Sequence, residues 1–164
     1  LKIYFDTQDQ LRKYWKINRD VSQRNHKINK VIEQINFRKE DSEKFILPQK
    51  EFADLIIEYF SNDKINIEKE NEEYNLSLKI VVNANLRLDD LLNSLDCEFL
   101  WDYNGDLKTQ YIILNKEPKL DFKHFANSNI PNLNEIVSFN SVWLGGYSGL
   151  LQTISVMLIS EKLK

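Results

Sequence analysis

The feature that most constrains the fold is a repeated change in the period of the apolar residues. Leu1-Lys2-Ile3-Tyr4-Phe5 alternates from face to face, as a strand does. From residue 10 to 24 the spacing becomes helical. Leu11, Tyr14, Trp15, Ile17 and Val21 share one apolar arc at ~100° per residue, while Arg12, Lys16 and Arg19 share another. Ile28, Val31, Ile32 and Ile35 predict a second helix, and residues 36–47 a short helix or loop. Pro48 suits a helix start that Glu51 to Leu55 would continue, and Ile56-Ile57-Glu58-Tyr59-Phe60 reads as a strand. Further on, Leu76, Leu78, Ile80 and Val82 alternate, and Leu88, Leu91, Leu92 and Leu95 return to helical spacing. Cys97–Tyr103 and Lys108–Leu114 flank Asn104-Gly105, a strong hairpin signal. Residues 120–134 suggest turns and Glu135–Val142 a strand. Leu150, Leu151, Ile154, Met157 and Leu158 predict a C-terminal helix after Gly145-Gly146. The expectation is an α+β fold.

With 164 residues, 42% of them hydrophobic, the chain can bury a real core without staples. Its single cysteine, Cys97, allows no internal disulfide, which points to a reducing compartment and a cytoplasmic location. No apolar run reaches the ~18–20 residues that span a bilayer, so no membrane partner is expected. His26 and His124 are the only histidines, which disfavours an ordinary zinc site, and no metal ligands are assigned. The chain opens directly in a strand-like run, so a piece of a longer protein is expected. Asn62 to Tyr74, with Asp63, Glu68, Glu70, Glu72 and Glu73 and few core residues, is the expected boundary. It divides the chain into residues 1–61, an acidic linker or loop over 62–74, and an α+β unit over 75–164.

Net charge is −3, but it is unevenly spread. Residues 10–50 carry 11 Lys or Arg against 5 Asp or Glu, whereas residues 51–164 carry 10 against 18. An anionic ligand near the N-terminal third fits this split, although charge alone favours a solvated helical surface. Binding to nucleic acid is disfavoured because Tyr14 and Trp15 fall on the apolar arc rather than among the cations. Glycines at 105, 145, 146 and 149 leave no place for a G-x-x-x-x-G-K-[ST] loop. Gly145-Gly146-x-x-Gly149 before a helix resembles an anion nest, but no Lys or Arg lies between Lys123 and Lys162 to support one.

The informative stretch is Lys16-Ile-Asn-Arg19-Asp20-Val-Ser-Gln-Arg24. Lys16 and Arg19 share a helix face, and Arg24 would diverge if the helix ran straight. A bend after Asp20–Gln23 would let all three converge on a polyphosphate, which the planar fork of arginine grips bidentately.

The run Trp15-Lys16-Ile17-Asn18-Arg19-Asp20, then Arg24 and His26, resembles the lid segment of the phosphoribulokinase/uridine kinase family. So do Arg38-Lys39-x-Asp41 and Pro48-Gln49-Lys50-Glu51-Phe52-Ala53-Asp54-Leu55-Ile56-Ile57. The Trp-Lys-Ile-x-Arg-Asp and Pro-Gln-Lys forms are closer to phosphoribulokinase, and Gly146-Tyr-Ser-Gly149-Leu150-Leu151-Gln152 is similar to a sequence near the end of those enzymes. The resemblance implies the end of a P-loop kinase α/β domain (strand, lid helices, strand) followed by an α+β unit with an antiparallel hairpin and a C-terminal helix. It implies an ATP-dependent kinase that transfers phosphoryl to a sugar hydroxyl, with ribulose 5-phosphate favoured over uridine and Mg accompanying ATP in the parent. It assigns Lys16 and Arg19 to the catalytic site, Arg19 and Arg24 to ATP, and Arg24 also to the acceptor. Trp15 and Ala53-Asp54 would pack and position the lid. A homodimer is implied as well.

Three positions depart from the family's pattern. Gln23 stands where an acidic residue is usual, Asn25 where Gly is usual, and Glu40 where Pro is usual. The P-loop and catalytic carboxylate would lie upstream, so this chain by itself is expected to be inactive. The alternative is a non-catalytic interaction or regulatory α+β module carrying a degenerate kinase-like segment.

Overall fold

The computed structural model describes residues 1–163. Five strands form one mixed sheet in the order β1-β2-β3-β5-β4, where β1 is Ile3–Thr7, β2 Leu55–Phe60, β3 Ser77–Asn83, β4 Phe99–Tyr103 and β5 Thr109–Leu114. β1 and β2 are parallel, with Ile3 beside Leu55 and Phe5 beside Ile57; every other pairing is antiparallel. A parallel pair needs a long crossover, and α1 (Asp9–Ser22) and α2 (Ile28–Phe37) supply most of it. The fold is therefore α+β.

Register fixes the core. Leu55 and Ile57 of β2 sit opposite Val82 and Ile80 of β3, and Ile80 opposite Ile112 of β5, so buried branched residues line one face across three strands. That face is covered by Leu91 and Leu92 of α4 (Asp89–Asn93), Phe122 and Phe125 of α5 (Phe122–Asn129), and Leu150, Ile154 and Leu158 of α7 (Gly146–Lys162). Fully burying side chains of this size contributes roughly 1.5–3 kcal/mol each. Because β2 and β3 are directly bonded, the sheet runs without interruption past the acidic segment between them.

Several local expectations are corrected. Residues 120–134 are not merely turns. The Asp121 carboxylate accepts the His124 N–H at 2.9 Å, an N-cap that starts α5. Glu135–Val142 is not a strand, because Leu133–Ile136 is a short helix, α6. The loop that follows is tied by Gln152, whose side chain accepts from Leu144 N and donates to Val142 O. The helix opened near Pro48 stops at Phe52 as a 3-10 turn, and Leu55 already belongs to β2. Residues between α2 and that turn are helical, as α3 (Lys39–Asp41) and a π-turn over Ser42–Ile46. The β4–β5 hairpin exists, but Asn104-Gly105 is not its left-handed pair; Leu107 takes the positive φ, at 56°.

Candidate functional site

The buried residues of α1 are Leu11, Tyr14, Ile17 and Asp20, an i, i+3 stripe whose last member is a carboxylate. Asp20 is only 2% exposed. An isolated charge there would be very costly, and three cations compensate it. Lys16 Nζ donates to Oδ2 at 3.0 Å. Arg19 donates to Oδ1 from Nε at 2.9 Å, with one terminal nitrogen also 2.9 Å from that oxygen, and Arg24 donates to it at 3.1 Å. Burial works against ionising Asp20, but the bonds from Lys16 and Arg19 outweigh it and hold its pKa below the ordinary carboxylate value.

Arg24 reaches this carboxylate because α1 ends at Ser22 and the chain turns back. Asn25 adopts a left-handed φ of 54°, and His26 N–H returns to the Asp20 carbonyl at 3.0 Å. Asparagine tolerates that conformation better than most residues with a Cβ, and glycine better still. The expected bend is thus present, and Lys16, Arg19 and Arg24 converge. Arg12 does not join them: its guanidinium lies 3.0 Å from Asp9 and 4.0 Å from Asp6.

The cluster remains accessible. The Lys16 side chain is 28% exposed, that of Arg19 47% and that of Arg24 55%. Among the described residues, one terminal nitrogen of each arginine has no protein acceptor. Three cations on one carboxylate leave a local surplus of positive charge, which fits phosphate oxygens. Beside it, Arg12, Lys13 and Lys16 of α1 face Arg38 and Lys39 across a cleft of about 490 Å³ that holds only Asp9 and Glu43 as acids. Among the described residues no group of three or more His, Cys, Asp or Glu is placed to hold a metal ion. No helix of the described residues is long and apolar enough to cross a membrane.

Other motif residues are structural. Lys50 Nζ bonds Asp6 Oδ2 at 2.9 Å, joining the Pro-Gln-Lys turn to β1. Asp54 accepts Lys162 Nζ at 2.7 Å and Lys2 N–H at 2.7 Å, so it ties α7 to the start of the sheet. Gly146 has a φ of +60°, and Glu117's carboxylate packs where its side chain would be. An internal carboxylate therefore fills the position an external anion would need. Gly149 lies hard against the Phe122 ring and the Leu144 carbonyl, leaving no room for a Cβ.

α1, with its convergent cations, lies in the crossover between the parallel strands β1 and β2. Residues 1–66 match the model of the Phosphoribulokinase / Uridine kinase family, so the resemblance carried by the motifs is shown for that segment. The chloroplastic phosphoribulokinase of Triticum aestivum is 33% identical over 85 residues, 52% of this chain and 20% of that protein. The chloroplastic phosphoribulokinase of Chlamydomonas reinhardtii is 42% identical over 57 residues, 35% of this chain and 15% of that protein. A uridine kinase of Borreliella burgdorferi is 44% identical over 66 residues, 39% of this chain and 32% of that protein. The matched region thus spans only 15–20% of the length of these phosphoribulokinases.

Proposed function

We propose that the chain supplies the lid and C-terminal part of an ATP-dependent kinase that phosphorylates a sugar hydroxyl. Residues 1–61 complete the nucleotide-binding half, and residues 75–164 form an added α+β unit. The observation that carries this reading is the convergence of Lys16, Arg19 and Arg24 on one buried carboxylate, with guanidinium N–H groups left over. Lys16 and Arg19 stabilise charge on the transferring phosphoryl group. Arg19 and Arg24 hold the ATP phosphates, and Arg24 also meets the acceptor's phosphate. ATP, bound with Mg²⁺, supplies the phosphoryl group. The described residues offer donors for its oxygens rather than a ligand set for the ion.

The neighbouring cleft supports a phosphorylated acceptor such as ribulose 5-phosphate over a neutral nucleoside, because five cations face two acids across it. The test is ADP release by the enzyme that contains this chain, with ribulose 5-phosphate and uridine as alternative acceptors. Arg19→Ala is expected to lower kcat by ~10³ or more with the fold retained. A loss below about tenfold would make Arg19 an ordinary surface residue.

A further inference from the structure

A second, open depression is lined in α1 by Trp15, which the cationic cleft does not share. It is a shallow groove of about 600 Å³ lined by five aromatic residues from five separate parts of the chain. Phe5 comes from β1, Trp15 from α1, Tyr59 from β2, Tyr74 from the acidic segment and Tyr147 from α7. Phe5 and Tyr59 are stacked at 5.9 Å, and Tyr147 meets Tyr59 edge-on at 6.2 Å. These rings are not simply core: Phe5 is 62% exposed and Trp15 40%.

Charge in the groove has one sign. Glu117 is the only charged residue in its lining, and among the described residues it has no ion-pair partner. It sits against Gly146 at the start of α7, the end of a helix where negative charge is stabilised. Its field reaches the rings: burial first, then Glu117, raises the phenol of Tyr59 and pushes that of Tyr147 up to about 12. Aromatic faces carry negative potential of their own. An anion is repelled here, and a neutral apolar group gains nothing from the carboxylate. A cation gains from both.

We propose that this groove binds an alkylammonium group, held by cation–π contact with Trp15, Phe5 and Tyr59 and by the carboxylate of Glu117. The site shares no residue with the Asp20 cluster and takes a ligand of opposite charge.

The test compares choline with 3,3-dimethylbutan-1-ol, a neutral analogue of the same shape, by following the Trp15 indole N–H in two-dimensional NMR of the whole chain. Choline should shift that resonance saturably and bind ~10-fold or more tightly than the alcohol. Glu117→Gln and Phe5→Leu, both of which keep the Trp15 probe, should each weaken choline several-fold. If Phe5→Leu fails to fold, Glu117→Gln at an exposed carboxylate still decides the matter. Equal affinities for the two probes, an unchanged affinity in Glu117→Gln, or no saturable shift by about 50 mM choline would overturn the proposal. So would tighter binding of adenosine than of choline, which would make the groove a neutral ring-stacking site.

Discussion

Replacing Asp20 by Asn tests whether the cation cluster is built around that carboxylate. The change keeps size and an acceptor oxygen but removes the charge on which three donors converge. Arg19 and Arg24 are half exposed, so their pairs are worth only a few tenths of a kcal/mol each. Lys16 is 28% exposed against a buried partner, and its charge-assisted bond is the larger contribution, about 1–1.5 kcal/mol. The expected loss is therefore about 2 kcal/mol at neutral pH, which lowers the Tm of a chain this size by about 4–8 °C. Urea and thermal unfolding monitored by circular dichroism would measure it.

The pH dependence of this variant is sharper still. Asp20's folded pKa lies below its ordinary 3.8, so its contribution is fully present above that value and fades as pH falls through the folded pKa. The gap between wild type and Asp20→Asn should accordingly be constant from pH 5 to 7 and close in acid. Asp9 and Asp54 are also held low but are common to both proteins, so they cancel in the difference. A loss under about 0.5 kcal/mol at pH 7, or a gap unchanged at pH 2.5, would refute a charged clasp at this site.

Tyr14→Phe removes a hydroxyl that accepts from Glu72 N at 2.6 Å and donates to Glu72 O at 2.8 Å. It should cost about 1–2 kcal/mol and speed amide hydrogen exchange over residues 66–74 more than elsewhere. Gly149→Ala should destabilise by about 2 kcal/mol or more because Phe122 must move, while Gly105→Ala, in open space, should change the Tm little. Lys162→Met should release Asp54, whose pKa is lowered first by the Lys162 bond and then by the Lys2 N–H. The lysine's share of stability, present above the ordinary carboxylate value, would then be missing at pH 7 and unseen in strong acid.

Most elements were legible because their periods were clean. α1, α2, β3 and α7 stand where apolar spacing puts them. Asp20 was not, since a carboxylate beside an arginine reads as a solvated pair. Its phase was the available signal: it continues the spacing of Leu11, Tyr14 and Ile17 onto the buried stripe. α5 was missed although Phe122, Phe125 and Ala126 have helical spacing, because Asn and Ser around them suggested turns. Residues 135–142 failed for a tertiary reason. Alternation makes a strand only where a partner ladder exists, and here the chain is held by the side chain of Gln152 instead. The aromatic groove was invisible because its rings come from positions 5, 15, 59, 74 and 147.

The charge split of the sequence becomes a spatial one through the way α1 is held. One side of the helix carries Asp20 with its cations; another is gripped by the acidic segment through Tyr14, Tyr74 and Asn18. That grip uses the backbone of Asn71 and Glu72 and an edge-on ring contact of 4.9 Å. The carboxylate of Glu72 turns instead to Lys69 and Tyr74. The acids of this segment therefore do not neutralise the cations around Asp20, although both groups meet α1. Salt should consequently affect the two interactions differently. The buried Asp20 clasp is weakly screened, whereas attraction of the exposed arginine edges for a polyanion must fall steeply as the Debye length shrinks to about 3 Å at 1 M. Tripolyphosphate affinity that drops with salt while the Tm stays level is the signature this arrangement requires.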